Sequence, residues 1–310
     1  MKIRSKEPYW LLKNGITNVY PSLRKNASCD LLIIGGGLSG ALMAYRFATS
    51  GYKTIVVDKR DIGTGSTSAN TSMIQYELDE PLYGLIDSYG RDVAIDIYTE
   101  SVNAVKNLQH IVDKLPSRCG FERKESLHFA STLQDADGLM REFECRKMAG
   151  IKVKWLSKDE VRSSYGIVSE GGILSSVGAS LDAYQLTHGL MEYVITNFGA
   201  QVYDHTQLVS VQYGATGCVA YMDTLSEVKC ANIIYSTGYE AHELLDGVGR
   251  LISTYACISE PITNLPKALD DTIFWNTEEP YFYLRCTSDN RILIGGEDED
   301  FVDPGKRESL

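Results

Sequence analysis

Apolar and polar positions near the start of the chain predict a strand, a helix and a second strand. Residues 31–34 are a continuous apolar run, as in a buried strand. Residues 41–50 carry apolar positions at helical spacing, and Gly51 follows as a C-terminal cap. Residues 55–57 form a second apolar run, and the three segments together predict a βαβ unit.

A glycine-rich turn joins the first strand to the helix. Gly35 permits a tight exit from the strand, Gly37 lets the backbone approach a pyrophosphate, and Gly40 allows close packing of the helix on the sheet. The pyrophosphate would lie at the positive end of the helix dipole. Asp58, at the end of the second strand, could accept hydrogen bonds from the adenosine ribose, and its charge disfavours NADP. The alternative is a non-binding βαβ unit whose glycines only close a turn.

The remaining pattern predicts a longer series of helices and strands. Helices are expected over residues 91–115, where Pro116 ends the pattern, over 137–148, and over 183–198 between an Asp182 cap and Gly199. Ser157 and Glu160 form a capping box. Strands are expected at residues 127–130, 152–156, 201–203, 208–213, 218–222, 227–235, 281–285 and 291–295.

The order of these elements predicts two domains. A dinucleotide unit that is left and later resumed indicates a discontinuous first domain, residues 28–90 and 155–250. Residues 91–154 and 251–310 would form an inserted substrate or cap domain. Residues 1–27 would be an irregular N-terminal lead, with Tyr9 and Trp10 as anchors.

Composition narrows the function classes. The formal charge is −11 with no block of lysine or arginine, which argues against nucleic acid or an anionic membrane as a partner. No apolar run approaches the length of a membrane span. Seven cysteines without a CxxC pair fit reduced thiols in a cytoplasmic protein. Five histidines show no ligand spacing, so no metal site is predicted.

The segment after Asp58 is the first indication of which dinucleotide binds. Residues 58–72 are small and rich in hydroxyl groups, so they could run along a long cofactor and reach a flavin ring. An ordinary surface loop is an equally good interpretation of this segment alone. The glycine fingerprint itself fits NAD as well as FAD.

Four stretches taken in order resemble the D-amino-acid oxidase-like family of FAD-dependent oxidoreductases, which includes glycine and sarcosine oxidases. They are residues 33–40, residues 63–73, the helix end at 199–202 with the strand 208–211, and residues 231–238. The resemblance implies an α/β fold. It would have a Rossmann-like FAD-binding domain of the glutathione-reductase type and an inserted α+β substrate domain on an antiparallel sheet.

The resemblance also implies an FAD site and its chemistry. The wide spacing of the cysteines offers no persuasive tether for the flavin, so binding is predicted to be noncovalent. In this class, hydride passes to the flavin from a carbon that bears an amine, so the substrate would be an amino acid or related amine. The matching cofactor-binding positions are Gly35, Gly37, Leu38, Ser39, Gly40, Asp58, Lys59, Gly65, Ser66, Thr67, Ser72, Met73, Leu208, Val209, Thr237 and Gly238.

A candidate substrate wall lies near the C-terminus. Tyr281, Tyr283 and Arg285 alternate along one predicted strand and so share a face. Two phenols and a guanidinium could close a pocket and pair with a substrate carboxylate. The alternative is an exposed tyrosine-rich face with a solvated Arg285. Tyr76 and Glu77 are weaker candidates, and Glu77 is expected to be a surface charge.

The family pattern is expected to break after Gly296, because relatives continue with a glycine-rich strand and helix that cover the flavin. On that interpretation the chain is a truncated form, or another chain or a compact variant completes the site. An uncovered apolar surface would favour self-association. The leading hypothesis is an amine-oxidising flavoenzyme. A catalytically weak nucleotide-binding remnant or interaction protein is the second, and an NAD-dependent dehydrogenase the third.

Overall fold

The computed structural model describes residues 6–243, 245 and 249–308. In this part of the chain the helices are α1 Tyr9–Asn14, α2 Leu38–Thr49, α3 Leu82–Tyr89, α4 Arg91–Val112, α5 Leu133–Met148, α6 Lys158–Tyr165, α7 Ala183–Phe198, α8 Lys267–Asp270 and α9 Pro304–Glu308. The strands are β1 Ala27–Ile34, β2 Thr54–Val57, β3 Met73–Gln75, β4 Glu122–Phe129, β5 Val153–Leu156, β6 Gly172–Ser180, β7 Gln201–Tyr203, β8 Leu208–Gly214, β9 Gly217–Met222, β10 Glu227–Tyr235, β11 Ser253–Ile258, β12 Thr272–Asn276, β13 Phe282–Cys286 and β14 Ile292–Glu299.

A six-stranded sheet carries the predicted βαβ unit. Its order is β7-β2-β1-β10-β9-β8, and β7, β2, β1 and β10 run parallel. The antiparallel strands β9 and β8 extend it at one edge. Because β1 lies between β2 and β10, the loops that follow these three strands meet at one edge of the sheet.

A second, eight-stranded sheet is mainly antiparallel. Its order is β11-β14-β13-β12-β4-β6-β3, with β5 also paired to β6, and only the pair of β12 with β4 is parallel. The α/β fold class is therefore confirmed. The strands β3 and β6 belong to this sheet, although the sequence boundaries place residues 73–75 and 172–180 in the dinucleotide domain. The domain boundaries themselves stay a prediction.

Most predicted elements are present, with ends that differ by a few residues. The two predicted caps are confirmed: Ser157 and Glu160 form a capping box, and Asp182 accepts a hydrogen bond from the Gln185 amide, 2.9 Å away. The N-terminal lead is not wholly irregular, because Tyr9–Asn14 is helical. Trp10 anchors it, since its side chain is buried and its Nε1 donates to the Asn70 carbonyl at 2.7 Å.

The largest hydrophobic core joins the two sheets. Ile33 and Val56 of the first sheet contribute to it from one face, where α2 packs against α7. Ala179 of β6, and Tyr98 of the helix α4 that contacts β6, contribute to the same core from the side of the second sheet. The opposite face of the first sheet has a smaller core that includes Leu32. The strands β1 and β2 are therefore buried on both faces.

A buried charged network joins α4 and α5 to the segment that follows β3. Arg146 of α5 is 1% exposed; its Nε donates to Glu142 at 2.7 Å and its Nη1 lies 3.5 Å from Glu77. Tyr98 donates to the same Glu142 carboxylate at 3.2 Å. Glu77 is thus buried rather than a surface charge. Burial raises the pKa of Glu77, and the neighbouring Arg146 acts against that rise.

We expect Arg146→Ala to lower the free energy of unfolding by about 3–5 kcal/mol, because two buried carboxylates would lose their cation. Arg118→Ala is the matched control: it breaks a 3.2 Å ion pair with Asp113 in which both side chains are largely exposed. That change should cost less than about 1 kcal/mol. Urea denaturation of the two variants measures the difference, and equal losses would contradict a buried network that stabilises the fold.

Candidate functional site

A cleft of about 410 Å³ opens where β1, β2 and β10 end. Such a position, outside the carboxyl ends of parallel strands, is the usual ligand site of open α/β sheets. Its volume lies within the range of small-molecule pockets. The loops after the three strands supply its walls, and the segment at residues 63–70 and the start of β8 complete it.

The glycine turn brings backbone groups into very close contact. Gly35 has φ of +109°, and a Cβ there would collide with the Ser236 carbonyl. A Cβ on Gly40 would collide with the Gly35 carbonyl oxygen, so α2 can pack this closely only with glycine at that position. At Gly37 a Cβ would approach Thr67 Oγ1 to 3.1 Å. The turn therefore leaves its backbone accessible to a ligand at the N-terminus of α2.

Two side chains are fixed to this turn by its own amide groups. Asp58 Oδ2 accepts a hydrogen bond from the Gly36 amide at 2.7 Å, and Oδ1 accepts one from the Arg60 amide at 2.8 Å. Burial raises the pKa of Asp58, while these two amides favour its charged form. Thr67 Oγ1 accepts from the Leu38 amide at 2.9 Å. Each carboxylate oxygen of Asp58 retains acceptor capacity for a ribose hydroxyl.

An unpaired hydroxyl marks the opposite wall. Thr237 Oγ1 is buried and has no hydrogen-bond partner among the residues described. Buried polar atoms are nearly always paired, so an orphan that lines a cleft indicates a missing polar ligand. Gly238 follows with φ of +58°. A diphosphate held between the glycine turn and Thr237 fits this arrangement.

The structure brings most of the predicted cofactor-binding residues together. Those that line the cleft are Gly35, Gly37, Leu38, Ser39, Asp58, Lys59, Gly65, Ser66, Thr67, Leu208, Thr237 and Gly238. Gly40 lies just behind the turn, where it permits the close packing of α2 against Gly35.

Three predicted positions lie away from the cleft. Ser72 Oγ pairs with Asn70 and accepts from the Ala183 amide, so it faces the start of α7. Met73 begins β3 in the second sheet and does not line the cleft. Val209 is 65% exposed and does not contribute to the lining, unlike its neighbour Leu208. Proximity in sequence to lining residues does not place these three in the pocket.

The predicted substrate wall is only partly assembled. The Tyr281 and Tyr283 rings lie together, with centroids 5.9 Å apart. Arg285 is 3% exposed, and its guanidinium donates to the carbonyl oxygens of Thr71 at 2.6 Å and Leu181 at 3.0 Å. Burial lowers the pKa of Arg285 to about 10. Arg285 is thus neither solvated nor open to a substrate carboxylate, because these backbone carbonyls hold it inside the protein.

Sequence reasoning missed several lining residues. Arg60, Asn70, Gln207, Ser236, Tyr239 and Glu240 all border the cleft. None of them was named as a site residue, although Arg60 and Asn70 lie in the candidate segment 58–72 and Ser236 lies in the stretch 231–238. The most informative is Glu240, whose carboxylate bonds to Arg60 and Lys59 on the other side of the cleft.

A family model described as FAD dependent oxidoreductase (DAO) matches residues 30–309. The chain belongs to this family. The match covers both sheets, and it confirms the predicted class of FAD-dependent oxidoreductase with FAD as the family's cofactor.

Individual relatives in the family are distant. Glycine oxidase of Geobacillus kaustophilus is 23% identical over 86% of this chain and 69% of its own length. A Bacillus subtilis protein, YhfW, whose name refers to a Rieske 2Fe-2S iron-sulfur protein, is 22% identical over 67% of this chain. The present chain spans 40% of that protein.

A solved structure shows the same fold. L-alpha-glycerophosphate oxidase from Mycoplasma pneumoniae, with FAD bound, aligns with a TM-score of 0.71 at 17% identity. The alignment covers 89% of this chain and 73% of the other.

Among the residues that the structure describes, none of the helices combines the length and the apolar character that a membrane span requires.

We expect Gly40→Ala to weaken FAD binding by about tenfold or more, because the new methyl group must displace α2 from the Gly35 carbonyl. Gly138→Ala is the matched control, since Gly138 is also helical and its added Cβ would meet only Tyr83 Oη, at 3.8 Å. The control should leave FAD affinity unchanged and stabilise the protein by roughly 0.5–1 kcal/mol. Quenching of FAD fluorescence on titration with apoprotein gives both affinities. A Gly40→Ala variant with the FAD affinity of the wild type would contradict the packing argument.

Proposed function

We propose that this chain binds FAD noncovalently and oxidises the C–N bond of an amino acid or related amine. The observation that carries the proposal is the cleft at the ends of β1, β2 and β10, with its accessible glycine turn, anchored Asp58 and orphaned Thr237 hydroxyl. Bound FAD would supply the hydride acceptor.

The residues of the cleft would hold the cofactor in the following way. Gly35, Gly37 and the first amides of α2 would bind the diphosphate, where the helix dipole favours negative charge. Thr237 Oγ1 would donate to the diphosphate from the facing wall. Asp58 would accept from the adenosine ribose, and Leu208 would border the adenine. Ser66 and Thr67 would lie towards the flavin end.

Tyr281 and Tyr283 are the proposed substrate-side residues. Burial raises the pKa of Tyr281 to about 12 and also raises that of Tyr283. Both phenols are therefore neutral at pH 7 and able to donate hydrogen bonds. Their rings would exclude water and orient the substrate, whose amine must be neutral to react. The similarity to glycine oxidase over 86% of the chain supports an amine substrate.

The decisive measurement is flavin reduction in the purified protein. We expect a yellow protein, or one made yellow by added FAD, whose absorbance near 450 nm bleaches under anaerobic conditions with glycine, sarcosine or a larger amino acid. Glycerol 3-phosphate is the control substrate, because an FAD-containing relative of the same fold is named for glycerophosphate. Bleaching by that alcohol alone would contradict the amine proposal. A protein that FAD cannot reconstitute would contradict the cofactor proposal, and release of NAD on denaturation would favour a dehydrogenase.

We also propose a cytoplasmic location and self-association through the edge strand β11. The seven cysteines are all free thiols, which supports the location. Cys257 of β11 lies opposite Ile294 of β14, and both side chains are exposed beside an edge without a further strand among the residues described. Exposed apolar edges favour pairing with another chain. Sedimentation should then give a dimer that Ile294→Lys dissociates, and a monomeric wild-type protein would contradict this.

A further inference from the structure

Three charged side chains, Glu240, Arg60 and Lys59, form salt bridges that cross the cleft from one border to the other. Glu240 lies in the short 3-10 helix Gly238–Glu243 that follows β10. Its Oε1 is 2.7 Å from Arg60 Nη2 and 3.0 Å from Lys59 Nζ, and its Oε2 accepts from Arg60 Nη1 at 3.2 Å. Lys59 and Arg60 belong to the loop after β2. The carboxylate therefore makes a two-pronged contact with one cation and a single contact with the other.

The sheet order fixes what this contact connects. Since β1 lies between β2 and β10, an ion pair between the loops after β2 and β10 passes across the end of β1, where the glycine turn begins. All three charged residues line the same cleft as Gly35 and Gly37. A dinucleotide seated on the turn would have this bridge beside it.

The environment makes the bridge more durable than an ordinary surface pair. The Glu240 side chain is 10% exposed, whereas Lys59 and Arg60 are each about a third exposed, so the carboxylate is held inside while the cations reach to it from the rim. Burial alone would raise the pKa of Glu240, but hydrogen bonds from Arg60 and Lys59 lower it to about 2. Glu240 is thus charged throughout the neutral range.

We propose that Glu240, Arg60 and Lys59 form a strap that closes over bound FAD and slows its exchange. The strap rests on the cofactor part of the proposed function. Opening it separates the loops after β2 and β10 and frees the cleft, whereas closing it holds both loops against the ligand. The chain thereby controls the rate at which a noncovalent cofactor enters and leaves, independently of the glycine turn that binds it.

The test is the rate of FAD release from the loaded protein, followed as the rise in free FAD fluorescence after dilution. Glu240→Gln should release FAD roughly tenfold faster than the wild type, because the neutral amide keeps the shape but loses the charge. Asp87→Asn is the matched control: it breaks the 2.8 Å pair with Arg141, in which both side chains are more than half exposed and neither residue lines the cleft. The control should release FAD at the wild-type rate.

A double-mutant cycle separates the strap from direct cofactor binding by Arg60. If the strap is correct, Arg60→Gln accelerates release less than Glu240→Gln does, because Lys59 still pairs with Glu240 at 3.0 Å, and the double variant is no faster than Glu240→Gln alone. If Arg60 instead binds FAD itself, Arg60→Gln acts without Glu240 and the effects add, which overturns the proposal. Slower release from Glu240→Gln would also overturn it, because Glu240 would then be a competitor for the site.

The salt dependence of FAD release provides a second readout. Raising the ionic strength screens partly exposed charges, so release from the wild type should accelerate with salt, and the acceleration should be smaller in Glu240→Gln. Equal salt dependence in the two proteins refutes the strap. A wild type that binds FAD but shows no effect of Glu240→Gln refutes the strap alone, whereas a wild type that binds no FAD refutes the proposed function as well.

Discussion

The whole site depends on how closely two stretches of backbone can approach at the end of β1. The start of α2 lies against the Gly35 carbonyl, and Gly35 itself lies against the Ser236 carbonyl after β10. Neither contact leaves space for a Cβ. Any other residue at Gly35 or Gly40 would push the helix or the neighbouring loop away, and the cleft would lose its floor. The same two glycines are therefore required both for the packing of α2 on the first sheet and for the shape of the ligand site.

That turn also organises the side chains around it. Its amides at Gly36 and Leu38 donate to Asp58 and Thr67, so a carboxylate and a hydroxyl from the segment between β2 and β3 are held at fixed places beside the helix N-terminus. Backbone donors that would otherwise be unsatisfied become the means of positioning polar side chains. Backbone amides thus preorganise the site. The side chains that it requires are mainly glycines and short hydrogen-bond acceptors such as Asp58 and Thr67.

The local pattern was sufficient to predict the first part of the site, because βαβ geometry follows from apolar runs, a glycine spacing and one carboxylate. Asp58 and Gly37 could be placed on that basis alone. The errors arose where the position depends on contacts between distant segments. Arg285 alternates correctly with Tyr283 along a strand, but the carbonyls of Thr71 and Leu181, more than a hundred residues away in the sequence, determine that it is buried. Similarly, no periodicity indicates that Glu77 meets Arg146 of α5 in the interior.

The order in which strands pair has a consequence for biosynthesis. β1 and β2 are made early, yet the other edge of β1 is completed only by β10, which begins at Glu227. Likewise β4 waits for β12, which begins at Thr272. A ribosome must therefore translate most of the chain before all strands of either sheet can pair. Until then the nascent polypeptide carries unpaired strand edges. The pairing of both sheets is therefore completed only late in synthesis.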